Sequence, residues 1–182
     1  MLARLMKDHA HIAILLNILK AKRSKLVSGD LVNYNLVRDI VEYMQSYAEH
    51  SHHPLEEVIS EFYWHKQGKA YINETLTFEH EKLANASVSL MATLNLILSD
   101  IVVPKENLVT DLESYVELQQ SHMEFEEAKV FPKWSSLFTE LDWKEIREMC
   151  RARIIDDPLF SENDSVLFEE LKEYIEQAKM SA

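Results

Sequence analysis

The chain has 182 residues, 47% of them apolar, enough for one domain with a sizeable core. Thirty-one acidic residues against 19 basic ones give a formal net charge of −12, which repels phosphate backbones and anionic lipid and predicts no nucleic-acid and no membrane partner. Two glycines and four prolines leave little room for turn-rich β structure, and a lone cysteine, Cys150, precludes an internal disulfide and fits a reducing, cytoplasmic compartment.

Helical periodicity begins at once. The opening stretch MLARLMKDHAHIAILL carries an early Asp8 and two histidines with no small-residue cleavage site, so it reads as structure rather than as a signal or transit peptide. Leu2, Leu5, His9, Ile12, Leu16 and Leu19 step by three and four, the apolar seam of a bundle helix. Gly29 and Asp30 break it. A second seam runs through Val37, Val41, Met44, Ala48, Leu55, Ile59 and Phe62, with Gly68 as its C-terminal cap. The third is Leu76, His80, Leu83, Ser87, Leu90, Leu94, Ile97 and Ile101, which Pro104 is expected to stop. The fourth runs from about Leu108 through Tyr115 and His122 to Val130, where Pro132 is expected to close it. No apolar run approaches transmembrane length.

Four helices of about 25 residues, each roughly 35–40 Å long and joined by short loops, predict an all-α fold: an antiparallel up-down-up-down four-helix bundle. Residues 1–140 form that bundle. Residues 141–182 read as two shorter amphipathic helices, a C-terminal helical hairpin packed on the bundle or forming a homodimer contact.

The histidines decide the functional reading. At 100° per residue His9 lies on the first seam, while His11 points out of the core. His80 replaces a core residue between Leu76 and Leu83, and His122 shares a face with Tyr115 and Leu118. In SYAEHSHHPLEEVI, with Ala48 at the centre of the buried face, His52 and Glu56 lie near it and His53 and Glu57 away from it. Pro54 removes a backbone donor there, and a twist at that point would bring His53 inward, so His52 and His53 remain alternatives. His11, His50 and His65 read as solvent-facing. Each bundle helix thus places one histidine inward, and two of them add a glutamate one turn on, Glu56 after His52 and Glu126 after His122. Such an interior costs several kcal/mol per unpaired carboxylate unless a cation neutralises it. Two metals sharing bridging carboxylates use six protein ligands comfortably: His9, His52, Glu56, His80, His122 and Glu126, with His53 the further candidate.

The segments DHAHIAILLNIL, HHPLEEVI, FEHEKLA and HMEFEEAKVFP, with H-x-x-x-E-E at 52–57 and again at 122–127, resemble the successive metal-binding elements of hemerythrin-like HHE cation-binding proteins. The resemblance covers roughly residues 1–140. It implies a bundle around a non-haem, oxo- or hydroxo-bridged centre of two iron ions, other divalent metals being possible. Glu56 and Glu126 would be the bridging carboxylates and His9, His52, His80 and His122 terminal ligands. Oxygen carriers of the family place two histidines, H-x-x-x-H, on the third helix, where this chain has His80 and Ala84. They also place an aspartate five residues on where this chain has Glu126 four on. Both departures argue against reversible oxygen transport, and His53 or water would fill the missing position.

The leading expectation is therefore a protein that binds or senses oxygen, nitric oxide or peroxide at an open di-iron centre. The alternatives are a di-iron oxidase or ferroxidase, and an iron donor for repair of damaged iron–sulfur clusters. The paired Glu-x-x-His motifs of ferritin-like oxidases are only half present, as Glu49-x-x-His52, with Gln119 standing before His122. A purely structural zinc site would use fewer ligands.

Overall fold

A computed structural model of the chain describes residues 1–68, 71–160 and 169–180. Among them the regular elements are all helical: α1 (Leu2–Ser28), α2 (Tyr34–Tyr43), α3 (His53–Gln67), α4 (Tyr71–Leu98), α5 (Lys105–Phe125), α6 (Phe131–Leu137), α7 (Glu140–Cys150) and α8 (Glu169–Met180). Wider π-helical stretches, Met44–His52 and Glu126–Val130, join α2 to α3 and α5 to α6. These joined rods, with α1 and α4, are the four members of the bundle. None of the described helices is long and apolar enough to cross a membrane.

Chain ends and breaks follow local chemistry. Gly29 adopts a left-handed φ of 82°, so its amide and that of Asp30 turn back onto the carbonyls of Leu26 and Lys25 and end α1. Asn33 opens α2 by accepting the Leu36 amide at 3.2 Å. Two proline expectations are corrected. The third bundle helix ends at Leu98, before Pro104, with Asp100 left-handed at φ 58°; Ile101 falls off the projected seam and is exposed. Pro104 caps the start of α5 instead.

Pro132 does not close the fourth rod either, which continues to Leu137. Ahead of Pro132 the Phe131 amide bonds to the Glu126 carbonyl, and ahead of Pro54 the His53 amide bonds to the Ala48 carbonyl, each reaching five residues back. A proline lacks the amide for a four-residue bond and crowds the preceding turn. A five-residue turn just before it relieves both problems and lets the helix go on.

Leu5 at the start of α1, Leu55 to Tyr63 on α3, Leu76 early in α4 and Val130 to Trp134 pack into one apolar cluster. The later part of α1, α2, Leu90 and Leu94 of α4, and Leu108 to Val116 of α5 build a second cluster at the other end. That pairing of starts with ends makes the rods antiparallel in sequence order. α7 adds Ile146 and Cys150 to the first cluster, while Leu171 and Ile175 of α8 join the second. Between the two clusters lie His9, His52, His80, His122, Glu56 and Glu126.

Candidate metal centre

All of these side chains are at most 6% exposed, and they form a single polar layer across the bundle. Glu56 points one oxygen, Oε1, at His52 Nε2 (3.1 Å) and His9 Nε2 (3.8 Å), and the other, Oε2, at His80 Nε2 (3.5 Å). Glu126 does the same in mirror fashion. Its Oε2 lies 3.2 Å from His9 Nε2, and its Oε1 lies 3.3 Å from His122 Nε2 and 3.9 Å from His80 Nε2. Two donor sets result, His9, His52, Glu56 and Glu126 on one side, His53, Glu56, His80 and His122 on the other, with the ligand atoms of each within 4.8 Å of one another.

His53 therefore belongs to the layer together with His52, where the α-helical projection kept them as alternatives. The π-helical turn is the reason. In a turn closed by five-residue bonds, the residues four and five beyond Ala48 both flank its direction, so His52 and His53 both face inward. Their rings lie 5.8 Å apart, and that of His53 stacks on His80 at 4.2 Å.

The outward nitrogens are held just as systematically. His52 Nδ1 meets Asp8 at 3.2 Å, His80 Nδ1 meets Glu57 at 3.4 Å, His122 Nδ1 meets Glu79 at 3.0 Å and His9 Nδ1 meets Glu127 at 2.8 Å. Each rod of the bundle thus grips the histidine of the next, from α1 to α3 to α4 to α5 and, through Glu127, back to α1. A carboxylate on Nδ1 sets the tautomer that leaves Nε2 free to ligate and makes the imidazole a stronger donor. None of these four acids was singled out as functional from the residues. A signal was there: every one adjoins an inward residue, in Asp8-His9, Glu56-Glu57, Glu79-His80 and Glu126-Glu127. A neighbour turned by 100° faces the adjoining rod rather than the core. Glu57, expected to face out, is half exposed yet reaches His80.

The remaining histidines lie outside the layer. His50 is exposed and donates from Nδ1 to the Gln45 carbonyl at 2.6 Å. His65 is exposed on the surface of α3 beside Glu61. His11 leaves the seam as expected, but it does not face solvent: it bonds Asp157 at 3.0 Å and stacks on Phe160, both from the segment that crosses α1. Glu49, the acid of the half-present oxidase motif, accepts the Ser87 hydroxyl and stands outside both donor sets.

The electrostatics are those of an interior built for positive charge. Burial disfavours the charged form of His52, but the carboxylates of Glu56, Asp8 and Glu126 together outweigh it and push the imidazole up to about 10. For His80 burial is likewise outweighed, by Glu126 and Glu56, and the imidazole is pushed up to about 11. His9 is raised against its burial by Glu126. Glu56 is held well below the usual carboxylate range, burial again losing to the charge of His52. His53 goes the other way: burial and the neighbouring His80 keep it neutral.

Whether a metal fits can be judged from unmet valences. Among the described residues, Nε2 of His9, His80 and His122 and both oxygens of Glu56 and of Glu126 are buried and, close as they lie, meet no partner in hydrogen-bond geometry. Such atoms cost about 1–3 kcal/mol apiece, more when charged. They are concentrated in one layer, and all face inward. Imidazole nitrogen with carboxylate oxygen is a donor set suited to iron and its first-row neighbours. The residues fit a metal. The family model described as Hemerythrin HHE cation binding domain matches residues 1–134. No curated protein and no solved structure matches the chain.

Proposed function

The chain belongs to the hemerythrin HHE cation-binding family, and on that premise we propose that its buried layer holds two iron ions and binds or senses a small ligand such as oxygen, nitric oxide or peroxide. The observation that carries this reading is the division of labour within each carboxylate: Glu56 and Glu126 each turn their two oxygens toward different histidines, as bridging ligands do. In this reading His9 and His52 complete one side and His53, His80 and His122 the other. Iron held there would supply a change of oxidation state coupled to ligand binding.

The protein's own contribution is positional. The ring of Asp8, Glu57, Glu79 and Glu127 keeps the imidazoles oriented and basic. The apolar clusters above and below keep bulk water from the layer. Protons held by His9, His52 and His80 in the metal-free chain leave as the cation takes their place. Ligand binding is favoured over a ferritin-like oxidase because Glu49, which such a site would recruit, is tied to Ser87 instead.

Metal analysis and optical spectra of the protein purified under air test the reading. Two iron ions per chain with near-ultraviolet charge-transfer bands are expected. Iron well below that content without the bands overturns it. Spectral change that reverses when oxygen is removed supports a binding role, whereas steady turnover points to the oxidase.

A further inference from the structure

The polar layer meets different surroundings on its two flanks. Where α1 meets the π-helical stretch before α3, residues 151–160 lie across the junction. Arg4 donates to the Ile155 carbonyl, Ser51 to that of Arg153, and both His11 and Tyr43 bond Asp157. Between that π-helical stretch, α3 and α4, a recess of about 320 Å³ opens to solvent instead. Glu49, Glu57 and Glu81 line it, and among the described residues no lysine or arginine does.

Its inner wall is made of ligand atoms. His53 and His80 stack there with 8° between their planes, only 4% and 6% exposed. Among the described residues His80 Nε2 has no partner in hydrogen-bond geometry. Both histidines belong to the donor set that includes Glu56 and His122. Ala84, one helical turn beyond His80, presents no more than a methyl group at the opening. A smaller recess of about 200 Å³ beside His122 is lined by Glu79 and also by Lys82.

We propose that the acid-rimmed recess is the uptake route by which an aquated divalent cation reaches the buried layer, with the exposed Glu81 drawing it in and His53 the first inner donor it meets. The proposal rests on the metal reading above. Convergent negative charge beside a low-dielectric wall raises the local concentration and arrival rate of cations. The α1 flank has a smaller recess, of about 180 Å³, but Arg4 and Lys7 line it beside Asp8, Asp156 and Asp157, and no histidine of the layer forms its wall.

Stopped-flow uptake of Co(II) by the metal-free full chain tests the route. Glu81→Lys should slow uptake about tenfold at low ionic strength, a difference that shrinks as salt screens the rim. Ala84→Leu should slow it at every ionic strength, because its obstruction is steric. Both variants are expected to reach the wild-type Co(II) content in time, and Lys82→Glu at the smaller recess should leave the rate unaltered. Wild-type kinetics in a fully loading Glu81→Lys protein overturns the route, as does an equally large change from Lys82→Glu, which would mark a bulk-charge effect. Should Ala84→Leu fail to fold, Glu81→Lys, on the exposed surface, still decides. A wild-type chain that takes up no Co(II) overturns the metal reading itself, a result distinct from failure of the route alone.

Discussion

The two flanks of the polar layer use the same chemistry to different ends. On the α1 flank, His52 is backed by Asp8, which also accepts from Tyr47, and Tyr47 in turn accepts from Arg4 at 3.3 Å. Asp8 is 4% exposed and the chain from Arg151 to Phe160 closes over the network. On the α4 flank, His80 is backed by Glu57, whose side chain is 48% exposed at the edge of an open recess. One flank backs its histidine with a buried acid, and the recess there stops at Asp8; the other recess is walled by the histidines themselves. In the proposed metal reading the first arrangement orients a donor and the second admits the ion, and the two are separated in space.

The largest effect should come from the element common to both flanks. Glu126→Ala is expected to abolish stoichiometric metal binding, measured by metal analysis after dialysis. Chelation of the wild-type protein should lower its melting temperature, since the ion's binding free energy is also folding free energy; an unchanged value would deny a central site. Next comes the cover. Asp157→Ala removes the acceptor shared by His11, Tyr43 and the amides of Leu159 and Phe160. Denaturant unfolding should show a loss of about 2–3 kcal/mol, while metal content stays at the wild-type level.

The supporting acids give the sharpest contrast. Asp8→Asn should weaken metal affinity by about 10–100-fold, and Glu57→Gln by less, because the half-exposed pair is screened by water. Equal losses in competition titrations would erase the distinction between the flanks. The pH response follows from His52 and His80, whose folded values of about 10 and 11 lie far above an ordinary imidazole. Their pairing with Glu56 and Glu126 stabilises the metal-free chain in full below about pH 6.5 and is lost as pH rises toward those folded values. Metal-free unfolding midpoints should therefore fall across the alkaline range, and a flat profile would contradict the charged pairs. Smallest of all is His65→Ala, 67% exposed on α3, for which metal content and stability should both hold.

Much of this was legible from residue order. His9, His80 and His122 sit where a steady helical period places them, because α1, α4 and α5 are regular up to those positions. Glu56 and Glu126 follow their histidines by one turn and converge as that spacing requires. His53 was ambiguous because an α-helical projection does not apply across Met44–His52, and the only local hint of the wider turn was Pro54. Pro132 misled for the same reason: preceded by a π-helical turn, it is carried within a continuing helix rather than ending one.

What the residues determined alone is the direction each side chain takes around its own helix axis, since that depends only on spacing. It was enough to predict a four-rod bundle with an inward layer of imidazole and carboxylate, and the family to which the chain belongs. Only the tertiary structure decided which helix stands beside which. On that depend the cyclic grip of Asp8, Glu57, Glu79 and Glu127 on their neighbours' histidines, the cover laid by residues 151–160, and the opening left above His53 and His80. Each of these pairs atoms from different rods, and helical period carries no information about a partner on another axis.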